Sequence, residues 1–297
     1  MKIFVTGVSG LLGAAVARAA TAAGHEVSGS TGAVPGVTRV VALDLESIAS
    51  AMEVFANEPF DVLINCAAVA EPAVCAAQPE RSQCLNVDLP TALAELCAKR
   101  GARLIHLSSE QVFDGEHAPY SIGDATRAIN LYSRQKIASE QAVMAACPRG
   151  AVVRAPLLLG NSLSERRSVH EKFFETWAAG KSVKLYRDEI RQVCTADNMA
   201  EALVELAGRE DLRGVFHWAG SEPMSRWDLG LKMAAHFGVS ADRLQAMSRS
   251  DTPEVSATRP RDLALNLEPL LSELKTRPET VNEAIAKLAR PSWCADV

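Results

Sequence analysis

The sequence predicts an α/β fold: a doubly wound parallel sheet with helices on both faces, followed by a smaller carboxy-terminal α/β lobe. Three observations predict it. Short apolar runs alternate with helical patterns through the first half of the 297 residues. Those runs, such as 61-DVLIN-65 and 103-RLIHL-107, are solidly apolar, as strands are when both faces of a sheet are covered. A glycine-rich turn, 6-TGVSGLLG-13, joins the first run to the first helical pattern. Strands that alternate with helices pair in parallel through right-handed crossovers, which places helices on both sides of the sheet.

In order, residues 2–6 form the first buried strand and residues 11–23 an alanine-rich helix that Gly24 stops. Strands follow over 25–30 and 39–43, then a helix over 46–57 and a buried strand over 61–65. A long helix over 80–100 closes at Gly101, ahead of a fifth strand over 103–107. Residues 131–146 read as a helix and 151–154 as the sixth strand. Beyond residue 155 the rhythm loosens. Helices over 170–179, 197–208 and 226–237 are interleaved with short strands over 191–195 and 214–218, and two Pro-containing segments, TRPRD and TRPET, punctuate the end.

Composition narrows the function classes. Hydrophobic residues make up 48% and charged residues 23% of the chain, the balance of a globular protein. A formal net charge of −5 offers nucleic acid no electrostatic attraction. No apolar run approaches the ~20 residues that span a bilayer, and MKIFVTGVSG runs straight into a strand without a signal-peptide pattern. A cytoplasmic protein is expected, with neither membrane nor nucleic-acid partners. The seven cysteines form no CxxC pair and the six histidines no HxxxH or HExxH spacing, so reduced core thiols and no metal site are expected.

The glycine turn points to a ligand. Gly7 permits the tight turn, Gly10 lets backbone approach a pyrophosphate, and Gly13 allows close helix–strand packing. With Ser9, Leu11 and Leu12 they would present open N–H groups and a positive helix end to phosphates. This placement, directly after an apolar strand, makes a Rossmann-type dinucleotide site the expected reading. The nucleotide-binding domain should therefore cover residues 1–155, with parts of the later chain returning to it, and a substrate-binding lobe residues 156–297. After the second strand, Ser28-Gly29-Ser30-Thr31 carries neither the acidic residue that binds a ribose 2′-hydroxyl nor an arginine for a 2′-phosphate. The missing carboxylate favours NADP(H) slightly over NAD(H), with Ser30 as a cofactor contact. Asp44 and Leu45 either flank the adenine or, in the case of Asp44, cap the following helix.

Tyr132-Ser133-Arg134-Gln135-Lys136 is a YxxxK motif on a helix, where residues i and i+4 share one face. A neighbouring ammonium lowers a phenol's pKa from about 10. That makes the phenol a workable proton donor to an alkoxide. Ser109 lies just after the fifth strand, at the carboxyl edge where doubly wound sheets bind ligands. It can orient a substrate carbonyl, with Ser108 as the alternative, although either serine equally suits a turn cap.

These stretches resemble the extended short-chain dehydrogenase/reductases over nearly the whole chain. Within them the sequence is most similar to the dTDP-4-dehydrorhamnose reductases and to the regulatory beta subunits of methionine adenosyltransferase. TGVSGLLG, DVLINCAA, QPERSQCLNVD around Asn86, HLSSEQVFDG and NLYSRQK carry the superfamily likeness; GVFHWAG and ATRPRDLALN carry the likeness to this branch. The resemblance implies that Ser109, Tyr132 and Lys136 are catalytic, with Tyr132 and Lys136 also touching the cofactor. It implies that Cys66, Ala67 and Ala68 line the cofactor and that Ala155 to Leu157 lie near the nicotinamide. Glu110, Gln111, Leu157 and Arg259 would join Ser109 on the substrate side, with surface salt-bridging an equal reading for Arg259.

The departures concern the sugar pocket. Rhamnose-forming reductases carry STDYVF where this chain has residues 108–113 as SSEQVF, and RTSW where it has 154-RAPL-157. Their VDxAE segment is replaced by 73-AVCAA-77. Two functions follow: an NAD(P)H-dependent reductase acting on a keto group of a nucleotide-activated sugar, or a cofactor-binding regulatory subunit that docks on a partner enzyme such as methionine adenosyltransferase. Epimerase or dehydratase chemistry is a third, weaker reading, because Glu110 alone supplies part of a dehydratase's acid pair. A homodimer through the helices over 80–100 and 131–146 fits the superfamily's habits.

Overall fold

The computed structural model describes residues 1–30, 34, 37–251 and 257–294. The amino-terminal half runs β1 (Lys2–Thr6), α1 (Leu11–Ala22), β2 (Glu26–Ser30), β3 (Arg39–Val41), α2 (Ile48–Asn57), β4 (Val62–Asn65), α3 (Pro72–Ala77), α4 (Pro79–Gln83), α5 (Leu89–Arg100), β5 (Arg103–Ser109), α6 (Leu131–Ala146) and β6 (Ala151–Ala155). Then come β7 (Leu158–Leu159), α7 (Val169–Ala178), β8 (Val183–Tyr186), β9 (Ile190–Arg191), β10 (Cys194–Thr195), α8 (Ala196–Ala207), β11 (Gly214–His217), β12 (Met224–Ser225), α9 (Arg226–Phe237) and β13 (Leu244–Met247). Thr31 lies outside the described residues.

Seven parallel strands form the central sheet in the order β11-β6-β5-β4-β1-β2-β3. The order reverses between β1 and β4, and ligands of doubly wound sheets bind at such a switch point. Residues alternate between its two faces. Ile3 and Val5 pack with α1 and α8, whereas Phe4 meets Phe55 edge-on at 4.9 Å on the side of α2 and α5. Alanines at 14, 15, 17 and 20 keep the buried side of α1 thin, which lets α8 lie close against it. Residues 214–217 return to this sheet as its seventh strand. The later chain builds a second core, in which Phe173, Phe174 and Trp177 of α7 meet Leu229 and Met233 of α9.

Three local expectations need correction. The helix expected over 80–100 is not regular: α4 and α5 are joined by a π-helical turn, Cys84–Asp88. Pro90 explains it, because a proline lacks the N–H that an α-helix would direct to residue 86, and a wider turn absorbs the defect. The turn also aims Asn86 inward, where it accepts from Val69 N at 2.9 Å and donates to Val69 O at 3.1 Å. The strand expected over 191–195 is two strands, β9 antiparallel to β12 and β10 parallel to β7. β5 runs on to Ser109, so that serine ends the strand rather than following it. Among the described residues, no helix is long and apolar enough to cross a membrane.

Candidate functional site

The carboxyl ends of β1, β4 and β5 converge on the glycine turn. Gly7 has φ +64°, and a Cβ there would stand 3.0 Å from Ala67 Cα and N. A Cβ on Gly13 would come within 2.2 Å of the Gly7 carbonyl oxygen, so α1 touches the turn it follows. Gly10 N donates to Gly7 O at 2.8 Å and closes the loop. α1 then begins with Gly10 as its cap, with no side-chain cap and no acidic residue in its first turn. Open N–H groups and a cradle that a Cβ would fill suit the pyrophosphate of a dinucleotide. Gly13→Ala is expected to cost about 1–3 kcal/mol of stability through overpacking against backbone. Urea unfolding would read that loss, and dinucleotide titration would show binding weakened with it.

Of the other cofactor candidates, Cys66 and Ala67 lie beside this turn and are half-buried, and Ala68 is exposed. Ala67 N donates to Thr6 Oγ1 at 3.3 Å. Ser9 is exposed, and Leu11 and Leu12 are half-buried at the start of α1. Ser30 is fully buried, and its hydroxyl accepts from Gly7 N at 3.0 Å, which helps to shape the turn. Asp44 does not cap α2, which starts at Ile48 with Ser47 as its cap; its carboxylate accepts from Glu46 N at 3.0 Å and shapes the turn ahead of the helix. Leu45 packs partly buried against the core under α2.

A chain of buried hydrogen bonds ties the glycine turn to α6. Thr6 Oγ1 donates to Asn65 Oδ1 at 2.5 Å, and Asn65 Nδ2 donates to His106 Nδ1 at 3.1 Å. His106 Nε2 then lies 3.1 Å from Ser139 Oγ, which donates to the Lys136 carbonyl at 2.9 Å. Burial holds the His106 pKa well below the ordinary value, which keeps the ring neutral and suits one donor and one acceptor nitrogen. α6 is anchored at its start as well, where Asn130 and Ser133 form a reciprocal capping box.

That anchoring presents Tyr132 and Lys136 at the sheet's edge, 5% and 2% exposed. Ser109 is 7% exposed, and its hydroxyl accepts from Gln111 N at 3.2 Å, so it caps the short turn Glu110–Val112. The same side chain faces the Tyr132 phenol and favours its ionised form. The expected lowering of that phenol is not found: burial pushes it up to about 12, against the pull of Ser109. The Lys136 ammonium instead donates to Leu107 O at 2.6 Å. Burial lowers Lys136 to about 8, opposed by the Glu140 carboxylate. The Ser108 hydroxyl is engaged elsewhere, donating to buried Glu140.

Beyond Ser109 lie charges that the sequence did not reveal as a group. Glu110 is 2% exposed; one oxygen lies 3.4 Å from Arg191 Nε, while the other is buried without a hydrogen-bond partner. Burial raises its carboxyl to about 8, against Arg191. Arg191 also pairs with Glu189 at 3.2 Å, and Glu189 pairs with Arg259 at 3.1 Å. Arg226 completes the group: the residue is half-exposed, but its Nη1 is buried and unpartnered. Arg259 thus pairs with a buried carboxylate and lies over the Tyr186 ring at 5.4 Å. Gln111 and Leu157 are half-buried nearby in sequence, and the Leu157 backbone N–H faces the Glu110 carboxylate.

The RmlD substrate binding domain pattern matches residues 1–292, essentially the whole chain. The chain belongs to this family. Proteins similar to it include methionine adenosyltransferase 2 subunit beta of Pongo abelii, 32% identical over 276 residues, with 91% of this chain and 81% of that protein covered. A second is the probable low-salt glycan biosynthesis reductase Agl14 of Haloferax volcanii, 30% identical over 293 residues, with 97% of each covered. Among solved structures, dTDP-4-dehydrorhamnose reductase from Bacillus anthracis in complex with NADP superposes with a TM-score of 0.80 at 17% identity, covering 96% of each chain. MoeE5 in complex with UDP-glucose and NAD gives 0.82 at 19% identity, covering 97% of each chain. These two likenesses establish the RmlD-type fold.

Proposed function

We propose that this RmlD-family chain is an NAD(P)H-dependent reductase of a keto group on a nucleotide-activated sugar. The observation that carries the reading is the meeting of Ser109 with the Tyr132 phenol at the carboxyl edge of the sheet, beside the glycine turn. The reductase Agl14 and the dTDP-4-dehydrorhamnose reductases support it. The dinucleotide supplies hydride when bound, held by the glycine turn and by Lys136 at the nicotinamide ribose. Ser109 donates a hydrogen bond to the substrate carbonyl and fixes its face. Tyr132 gives its proton to the oxygen of that carbonyl as it becomes an alkoxide. A phenol at about 12 releases its proton poorly to water but readily to a more basic alkoxide, and the Ser109 hydroxyl favours the phenolate left behind.

NADPH is the favoured cofactor in this reading, because the end of β2 offers no carboxylate to repel a 2′-phosphate. Oxidation of NADPH across a panel of dTDP- and UDP-4-keto sugars tests the function. Turnover of at least one is expected, and nucleotide binding without any turnover would overturn the reading. A second reading has its own observation, the 32% identity to methionine adenosyltransferase 2 subunit beta. In that case the chain would copurify in stoichiometric amount with a partner enzyme.

Lys136 gives the reading a pH dependence. With its pKa lowered to about 8, the ammonium that donates to ribose is lost as pH rises through that value. Dinucleotide binding then takes up a proton, so the Kd climbs above pH 8 by up to about tenfold per unit. Titration calorimetry should show the climb in the wild type and a flat, weaker profile in Lys136→Met.

A further inference from the structure

We propose that Arg167 is a clamp for the cofactor's pyrophosphate, reaching from the carboxy-terminal lobe onto the glycine turn; this rests on the reading of that turn as a dinucleotide site. A Cβ built on Gly10 would lie 3.8 Å from Arg167 Nη1, so the guanidinium stands beside the first open N–H groups of α1. Helix start and arginine therefore face the same small volume. Backbone N–H groups and a guanidinium fork both suit phosphate oxygens, and their charges add there.

The segment carrying Arg167 is built to hold this position. Buried Glu171 accepts from Ser162 N, Ser162 Oγ and Arg167 N, each at 2.7 Å, and from Ser168 N at 2.8 Å. At the segment's near end, a Cβ on Gly160 would touch Leu11 Cδ1 at 3.4 Å, so the lobe meets the start of α1 directly. Neighbouring Arg166 is already engaged, with Glu175 at 3.0 Å and over the Trp293 ring at 4.5 Å. Among the described residues, the Arg167 guanidinium has no ion pair or hydrogen bond of its own. A solvated arginine without a carboxylate, fixed at its backbone over an anion cradle, is what a phosphate clamp requires.

The position separates two phosphates. A 2′-phosphate belongs beyond the end of β2, whereas Gly10 faces the pyrophosphate common to NAD(H) and NADP(H). Arg167→Ala and, as a neighbouring control, Arg166→Ala are compared with wild type by titrating NADH and NADPH and following bound-nucleotide fluorescence. Arg167→Ala should weaken both nucleotides by about tenfold, with their ratio unchanged and a shallower salt dependence. Arg166→Ala should stay within about twofold of wild type, and Arg167→Lys should recover part of the loss. Unchanged affinity in Arg167→Ala would overturn the clamp and leave the dinucleotide reading intact. A loss confined to NADPH would overturn the pyrophosphate assignment. A wild type that binds neither nucleotide would remove the dinucleotide reading, and the clamp with it.

Discussion

Replacing Tyr132 with phenylalanine should lower the turnover of keto-sugar reduction by about 10³-fold while leaving the fold and dinucleotide affinity nearly unchanged. The magnitude is that of a lost general acid, about 10²–10⁴-fold. The specificity of the loss follows from geometry. The phenol hydroxyl faces Ser109, whereas α6 is bonded to the sheet through Ser139 on His106 and Glu140 on Arg154. Ser109→Ala should cost less, because it removes an orienting hydrogen bond and not the proton. Steady-state kinetics beside a nucleotide titration separates the two effects. A Tyr132→Phe protein with wild-type turnover would remove Tyr132 from the chemistry.

The largest stability loss is expected at Glu140, one helical turn beyond Lys136. Its carboxylate takes Arg154 Nη2 at 2.8 Å and Nε at 3.0 Å, with both side chains under a tenth exposed, and it accepts from Ser108 as well. Arg154 also stands over the Phe113 ring at 4.9 Å and 3.2 Å from His217 Nε2. Burial, followed by this arginine, lowers His217 to about 4, so the ring is neutral and adds no repelling charge. Glu140→Ala would strand a buried guanidinium and should cost about 3–5 kcal/mol. The double variant Glu140→Leu, Arg154→Met should lose less than the single one, since no lone charge remains buried. Chemical denaturation of the two variants checks the order.

The sheet and glycine turn were legible because each is dictated locally. An apolar run, a turn that requires glycine at three positions and a helix start all lie within residues 2–13, and Gly13 has no freedom with a carbonyl 2.2 Å from where its Cβ would be. YxxxK was legible for the same reason, since a helix places both residues on one face. The ion pair of Glu110 was not, because the arginine that meets it comes from β9, far along the chain. Arg167 sat within a polar stretch with no period, and only the folding of that stretch around Glu171 gives it direction. β7, β9, β10 and β12 are two residues each, too short for any periodicity to announce them. The place of Ser30 at the end of β2 was legible, whereas its burial against Gly7 N is a tertiary fact.

The central claim is that Ser109, Tyr132 and Lys136 frame a carbonyl on a nucleotide-activated sugar beside a nicotinamide. Single-turnover reduction with nicotinamide-deuterated NADPH, followed by mass spectrometry of the sugar nucleotide, tests it most directly. One deuterium on the former carbonyl carbon, delivered by wild type and about 10³-fold more slowly by Tyr132→Phe, is the result predicted. A protein that binds the cofactor yet transfers no deuterium to any dTDP- or UDP-4-keto sugar would contradict it.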